Sequence, residues 1–243
     1  MNVYALMIGL GGTLGLTWAV WRAPLKQARA ILDAGLVTMV LALIGARLAY
    51  VLVNWEYYQV HLPEMLAFWH GGLAWPGALL GGLTGLAVGS LAVNVPIGVL
   101  ADGLMPLVPP LVVAAWLGCW QAGCAYGAPL ESTAWALPAR DEYGVMASRW
   151  PLQVIEAAIT TLLFVFLDLL RSRLHHPGQA ASFGWLGLSL LLLAAALFRA
   201  DPMPAWRGYH LDAWAALISL GLSMLACLYT TLRRPLEMTS ATG

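Results

Sequence analysis

Charge is what this sequence lacks. Asp, Glu, Lys and Arg make up only 10% of its 243 residues, against about a quarter in a soluble domain. Twelve basic side chains balance twelve acidic ones, so the net charge is +0. Without clustered cations a nucleic-acid surface is excluded, because binding to a phosphate backbone depends on them. Cysteine is nearly as scarce, and three in the whole chain do not make a disulfide framework. No Gly-x-Ser-x-Gly, His-Glu-x-x-His or phosphate-loop pattern occurs, and no histidine stands at zinc-ligand spacing from a cysteine. Neither a metal nor a cofactor is expected. Met1-Asn2-Val3 supplies no basic n-region, so the first apolar run is expected to stay in the membrane rather than be cleaved.

Apolar residues are abundant instead: 60% of the chain, with a mean hydropathy of +0.76. The implied solvent is a bilayer. Runs at 3–21, 32–54, 72–93, 96–120, 152–170, 181–198 and 212–231 are long enough to cross a hydrocarbon core of about 30 Å, which takes about 20 helical residues. The expected fold is an all-α integral membrane protein, a seven-transmembrane-helix bundle. No repeat, low-complexity tract or long linker divides it, so residues 1–243 are read as one domain. Lys and Arg set its orientation. With the N-terminus outside, Arg22, Lys26, Arg29, Arg171, Arg173, Arg233 and Arg234 fall inside. Arg140, Arg149, Arg199 and Arg207 fall outside, and the C-terminus is cytoplasmic. The connections 55–71 and 121–151 then both face outward and carry many aromatics, either an interfacial belt or the neighbourhood of a site.

The stretch 113–129 organises this reading. It starts as an apolar helix end and breaks into glycines, Cys119, Cys124 and a turn at Gly127 and Pro129. Irregular backbone at membrane depth is tolerated only where protein or a watery cavity satisfies its polar groups, so a site is expected here. Arg47, inside the second span, needs a partner. Its planar fork suits a lipid phosphate; an ion pair with Glu156 or snorkelling to the surface are the structural alternatives. Gln153 and Glu156 share a helix face just after Arg149 and either hold a headgroup or serve the helix start. Asp102 suits a helix cap and Asp168 a surface pair with Arg171. Cys119 and Cys124 are not spaced as a redox pair; they read as buried inert thiols or, in an oxidising compartment, as a disulfide. Gly77, Gly81 and Gly85, four apart, favour close helix packing.

These residues, in this order, resemble the prolipoprotein diacylglyceryl transferase family over about residues 3–235. The resemblance rests on Tyr4-Ala-Leu-Met7, Gly45-Ala-Arg-Leu-Ala-Tyr50 and Trp69-His-Gly-Gly-Leu-Ala-Trp-Pro-Gly77. It continues through the loop from Gly118 to Gly127, then Arg149-Trp-Pro-Leu-Gln153 with Glu156, and Phe198-Arg199. It implies a multi-pass protein of the bacterial inner membrane. It also implies an outward-facing cavity that binds an anionic phospholipid such as phosphatidylglycerol, and a lipoprotein precursor whose lipobox cysteine receives the diacylglyceryl group. Tyr4, Arg47, Gly118, Gly123, Gly127, Arg149, Gln153, Glu156 and Arg199 keep the family's residue type and are the implied substrate-binding set.

The same resemblance exposes replacements. The family's essential histidine falls on Pro76, its signature arginine and asparagine on Trp116 and Cys119, and the loop glutamate on Cys124. An arginine and a glutamate upstream of Arg199 fall on Leu192 and Ala196. Each lost preorganised donor costs on the order of 10²–10³ in rate, and loss of the histidine removes a general base. Catalytic residues therefore stay unassigned. The alternative expectation is a non-catalytic lipid-binding protein or an accessory subunit of another membrane protein.

Overall fold

The computed structural model describes residues 3–131 and 134–232, His70 without its side chain. Arg233 and Arg234, assigned above to the inner side, lie outside the described residues. Seven helical segments are long and apolar enough to cross a membrane: Val3–Arg22 (α1), Leu25–Val53 (α2), Trp75–Val93 (α4), Ile97–Ala122, Leu152–Leu169 (α7), Gln179–Phe198 (α8) and Leu211–Leu232 (α9). A short helix, Trp55–Tyr58 (α3), follows α2. The fourth span is composite. Ile97–Leu104 (α5) and Val108–Ala122 (α6) flank a 3-10 turn, Met105–Leu107. Pro106, Pro109 and Pro110 lack the amides that a continuous helix would use there. α2 starts at Leu25, directly after Pro24, rather than at residue 32. Its extra turns carry exposed Lys26 and Arg29, which hydropathy alone does not count as a span.

Small residues set how closely the helices approach. A Cβ on Gly77 would press into the Gly45 carbonyl, and one on Gly81 into that of Leu41, so α2 and α4 pack backbone to backbone. On α1, a Cβ at Gly15 would lie 2.5 Å from the Leu107 carbonyl oxygen. Polar links join α8 to α9: Trp185 Nε1 donates to Ser219 Oγ at 2.9 Å, and Ser189 Oγ lies 2.8 Å from the same hydroxyl. In lipid each such bond contributes about 0.6 kcal/mol.

The longer connections gather at one end of the bundle. Between α2 and α4 lie α3 and two 3-10 turns, Leu62–Leu66 and Phe68–His70. Between α6 and α7 lies an antiparallel hairpin of Leu137–Arg140 (β1) and Met146–Arg149 (β2), with Leu137 opposite Arg149. Its turn is shaped by the Asp141 carboxylate, which accepts from the amides of Tyr143 (3.0 Å) and Val145 (2.9 Å). A smaller hairpin, Ala205–Trp206 (β3) with Tyr209–His210 (β4), separates α8 from α9. The hairpins add to the expected all-helical pattern without altering the bundle. The start of α1 belongs to this end too. At the opposite end Ala19, Ile31, Ala34, Leu100 and Leu104 form a compact apolar core.

Candidate functional site

The backbone from Gly118 to Pro129 is the hub of the loop-rich end. α6 stops because Gly123 adopts a left-handed φ of 73° and its amide bonds the Cys119 carbonyl. A side chain there would be strained, and its Cβ would strike the Asp141 carbonyl. Cys119 and Cys124 form a disulfide across this cap. The expectation of two inert thiols is thus corrected: the glycine cap folds the chain back and brings the sulfurs together. The loop then runs past three partners. Pro129 bridges Arg149, the Tyr126 carbonyl accepts from Ala200 N at 2.8 Å, and Gly127 bridges Arg199.

Several of the implied binding residues converge on this loop. Gly118 faces Tyr4, whose ring carbon would lie 3.0 Å from a Cβ there. Gln153 Nε2 donates to the Cys124 carbonyl at 3.0 Å. The Arg149 guanidinium lies 4.3 Å from the centre of the Tyr126 ring and donates from Nη2 to Asp141 at 3.2 Å. Its Nε is buried with no hydrogen-bond partner among the described residues. One turn beyond Gln153, Glu156 is only 3% exposed, and its Oε2 is likewise unpartnered, as is Thr160 Oγ1 a further turn on.

Arg199 is placed here but is already paired. Nε donates to Asp201 Oδ1 at 2.7 Å, Nη2 to Asp201 Oδ2 at 2.5 Å, and Nη1 to Asp212. Burial works against its charge, yet the hydrogen bonds and charges of the two aspartates outweigh it and hold its pKa above the ordinary value. Asp201 also accepts from Ala125 N at 3.1 Å, and Asp212 from the Trp75 side chain. The aspartates were not singled out from sequence. Their signals were available: Asp201 stands two residues after Arg199, and Asp212 opens the last helix.

Arg47 sits apart from this loop. Its Nε donates to Met65 O at 2.8 Å, Nη1 to Gly71 O and Gly72 O at 2.7 and 3.0 Å, and Nη2 to Glu64 O at 2.6 Å. The suggested ion pair with Glu156 does not form, because these four carbonyls occupy the fork. Gly72, with φ +73°, lies close under this guanidinium and the Tyr50 ring. Asp168 pairs with Arg22 at 2.8 Å rather than with Arg171, because α1 and α7 meet there. Asp102 caps the start of α8, accepting from Gly178 N and Ala181 N at 2.7 and 2.8 Å.

Of the positions at which the resemblance implies another residue, Pro76 lies in the first turn of α4, Trp116 on α6, and Leu192 and Ala196 on α8. Among the described residues, no three His, Cys, Asp or Glu side chains are grouped to hold a metal ion. The site is a buried polar seam. Among the described residues the buried side-chain atoms without a partner are Arg149 Nε, Glu156 Oε2, Thr160 Oγ1 and His210 Nδ1.

The sequence profile of the prolipoprotein diacylglyceryl transferase family matches residues 1–232. A protein of Streptococcus pneumoniae named phosphatidylglycerol--prolipoprotein diacylglyceryl transferase is 29% identical over 238 residues, covering 93% of this chain and 88% of its own. A protein of the same name from Streptococcus sanguinis is 28% identical over 238 residues, covering 93% of this chain and 90% of its own.

Proposed function

From the premise that this chain belongs to the prolipoprotein diacylglyceryl transferase family, we propose that it binds an anionic phospholipid headgroup beside the Gly118–Pro129 loop and has lost the family's transfer route. The chain is a multi-pass protein of the bacterial plasma membrane, with seven apolar helices of spanning length. The relatives are named for phosphatidylglycerol and a prolipoprotein, and those substrate classes are carried over here as part of the proposal. The observation that carries it is Arg149 Nε, a buried cationic donor without a partner. Such a donor costs about 1–3 kcal/mol or more when left unmade, and an anionic oxygen satisfies it. Arg47 and Arg199 are occupied by carbonyls and carboxylates. Arg149, whose Nη2 pairs with Asp141, keeps Nε to donate to a phosphate oxygen. It cannot replace the donors lost at Trp116 and Leu192, nor the base lost at Pro76.

The loop-rich end is read as the outward one, with the N-terminus outside and the C-terminus cytoplasmic, in one domain. Arg22, Lys26, Arg29, Arg171 and Arg173 all lie at the other end, as the positive-inside bias requires. Labelling cysteines placed in the exposed turns at Gly144 and at Ser172 with an impermeant maleimide on intact spheroplasts tests this. Labelling at Ser172 rather than Gly144 would reverse the orientation.

One observation favours a second reading. Glu156 Oε2, buried and unpartnered, could take the proton of an incoming cysteine thiol. The carbon–sulfur bond would then form as the carbon–oxygen bond to the departing glycerol phosphate breaks. The purified chain in phosphatidylglycerol nanodiscs, given a lipobox peptide and followed by mass, separates the two readings. The first predicts retained phosphatidylglycerol, lost in Arg149→Gln, with no peptide modification. Peptide modification abolished by Glu156→Gln would establish the second, and lipid retention indifferent to Arg149→Gln would overturn the first.

A further inference from the structure

One face of α7 is polar for two turns below the candidate loop site and then turns apolar. Gln153, Glu156 and Thr160 stand three and four residues apart, so they share that face, and all three are buried. Phe164 and Leu167 continue it as apolar residues. Gln153 is engaged by the Cys124 carbonyl. Glu156 Oε2 and Thr160 Oγ1 are each buried without a hydrogen-bond partner among the described residues. A threonine hydroxyl in a helix commonly bonds the carbonyl four residues back, as Thr13, Thr38, Thr84 and the adjacent Thr161 do. Thr160 does not, although it is 0% exposed.

These two atoms restrict what can satisfy them. An ionised carboxylate only accepts hydrogen bonds, whereas a hydroxyl both donates and accepts. The group that completes both must offer a donor to Glu156 Oε2 and an acceptor to the Thr160 proton. An ammonium has no acceptor. A phosphate or carboxylate oxygen has no donor and is repelled by Glu156. A neutral hydroxyl supplies both. Cα–Cβ bonds on a helix tilt toward its N-terminus, which on α7 is the end next to Arg149. The pair is therefore directed toward the place proposed for the phosphate.

We infer that Glu156 and Thr160 form a hydroxyl subsite that makes the chain select phospholipids whose headgroup carries a free hydroxyl. This rests on the reading that Arg149 Nε holds the phosphate. The headgroup hydroxyl donates to Glu156 Oε2 and accepts from Thr160 Oγ1. Arg149 then sets affinity for any phosphodiester, and Thr160 sets the choice among them. No covalent bond forms or breaks in this step, so it does not draw on the residues replaced at Pro76 and Trp116.

Phosphatidylglycerol and phosphatidylethanol test this, because both carry one negative charge and only the first has headgroup hydroxyls. Binding of each to the delipidated full chain is measured by native mass spectrometry. Wild type is expected to hold phosphatidylglycerol about ten-fold more tightly. Thr160→Val is expected to bring phosphatidylglycerol down to the phosphatidylethanol level while leaving phosphatidylethanol unchanged. Thr160→Ser should keep the preference, and so should Thr161→Val, whose hydroxyl serves its own helix. The preference is a ratio within one variant, so a general loss of stability does not imitate its loss. Equal binding of the two lipids by wild type would overturn the subsite and leave the Arg149 reading standing, with a bound water as all the pair holds. A preference retained in Thr160→Val would overturn it as well. So would tighter binding of phosphatidylethanolamine, since an ammonium would then be the group chosen. Binding of neither anionic lipid by wild type would overturn the Arg149 reading, and this subsite with it.

Discussion

Arg199 and Asp201 face each other as a two-pronged ion pair, Nε to Oδ1 at 2.7 Å and Nη2 to Oδ2 at 2.5 Å. The parallel geometry matches the planar fork to a carboxylate. It also closes the loop site, because Asp201 Oδ2 receives the amide of Ala125 from the Gly118–Pro129 loop. An arginine held this way is a structural tie between α8, α9 and the loop before it is anything else. Removing Asp201 would strand a buried cation with only Asp212. Asp201→Ala is therefore expected to destabilise by about 3 kcal/mol, measured as a lowered thermal midpoint in detergent. Replacing Arg199, Asp201 and Asp212 together by apolar residues of similar size, so that no buried charge loses its partner, should cost less than the single change. A milder effect of Asp201→Ala alone than of the triple variant would contradict the tie.

Arg47 makes the same point with carbonyls in place of carboxylates. Four backbone oxygens between Glu64 and Gly72 converge on its fork. A lysine ammonium carries three donors on a compact centre and cannot span them. Arg47→Lys is thus expected to behave like Arg47→Ala, with faster proteolysis in the 62–72 segment and a stability loss of about 3 kcal/mol, since each bond to a charged group contributes about 1.5–3 kcal/mol. Wild-type protease resistance in the lysine variant would show that charge alone suffices.

What could be read from the sequence follows from what was local. The seven spans appear because each is an apolar run, and the largest misjudged start is that of α2, where Lys26 and Arg29 mask helix that begins at Leu25; α4 begins at Trp75 rather than 72. The site loop was legible at Gly118, Gly123 and Gly127 because glycine punctuates helices for a backbone reason. Partners were not legible. Arg47 was placed correctly as a buried cation and offered a lipid phosphate, Glu156 or the surface, since no pattern announces that a loop 17 to 25 residues on will turn its carbonyls inward. Asp141, Asp201 and Asp212 escaped notice for the same reason. Their importance lies in contacts that only the folded hairpins create.

Close approach of α2 and α4 can be tested with one atom group. A Cβ at Gly81 would meet the Leu41 carbonyl, whereas nothing lies within 4 Å of one at Gly221. Gly81→Val is expected to separate the helices and abolish stable expression, because overpacking costs about 1–3 kcal/mol even where neighbours can relax and here backbone opposes backbone. Gly221→Ala should be neutral or slightly stabilising. Equal detergent-extracted yields for the two variants would count against the packing.

The Cys119–Cys124 disulfide closes a short loop over the α6 cap. Both cysteines should resist iodoacetamide until a reductant is added, while Cys227, a free thiol buried in α9, reacts only on denaturation. A loop this short limits the unfolded chain modestly, so reduction is expected to lower stability by about 2 kcal/mol. Alkylation of Cys119 and Cys124 in the native, unreduced protein would show that the pair is not joined.

Tyr126 offers a spectroscopic reading of the same loop. Burial, reinforced by the hydrogen bond its hydroxyl gives Glu142 and by that carboxylate's charge, pushes the phenol up to about 12. An unfolded tyrosine titrates near pH 10, so the folded state holds this proton more tightly than the unfolded one. The stability it contributes is complete below about pH 10. It is lost as the pH rises toward about 12, because the unfolded chain releases the proton first. Ultraviolet titration of the folded protein should show a late phenolate step that Tyr126→Phe removes. Glu142→Gln should move that step to lower pH by withdrawing the anionic acceptor while leaving burial in place. A step that stays put in Glu142→Gln would assign the whole shift to burial, and the link between the hairpin and the loop would have to rest on Arg149 and Asp141 alone.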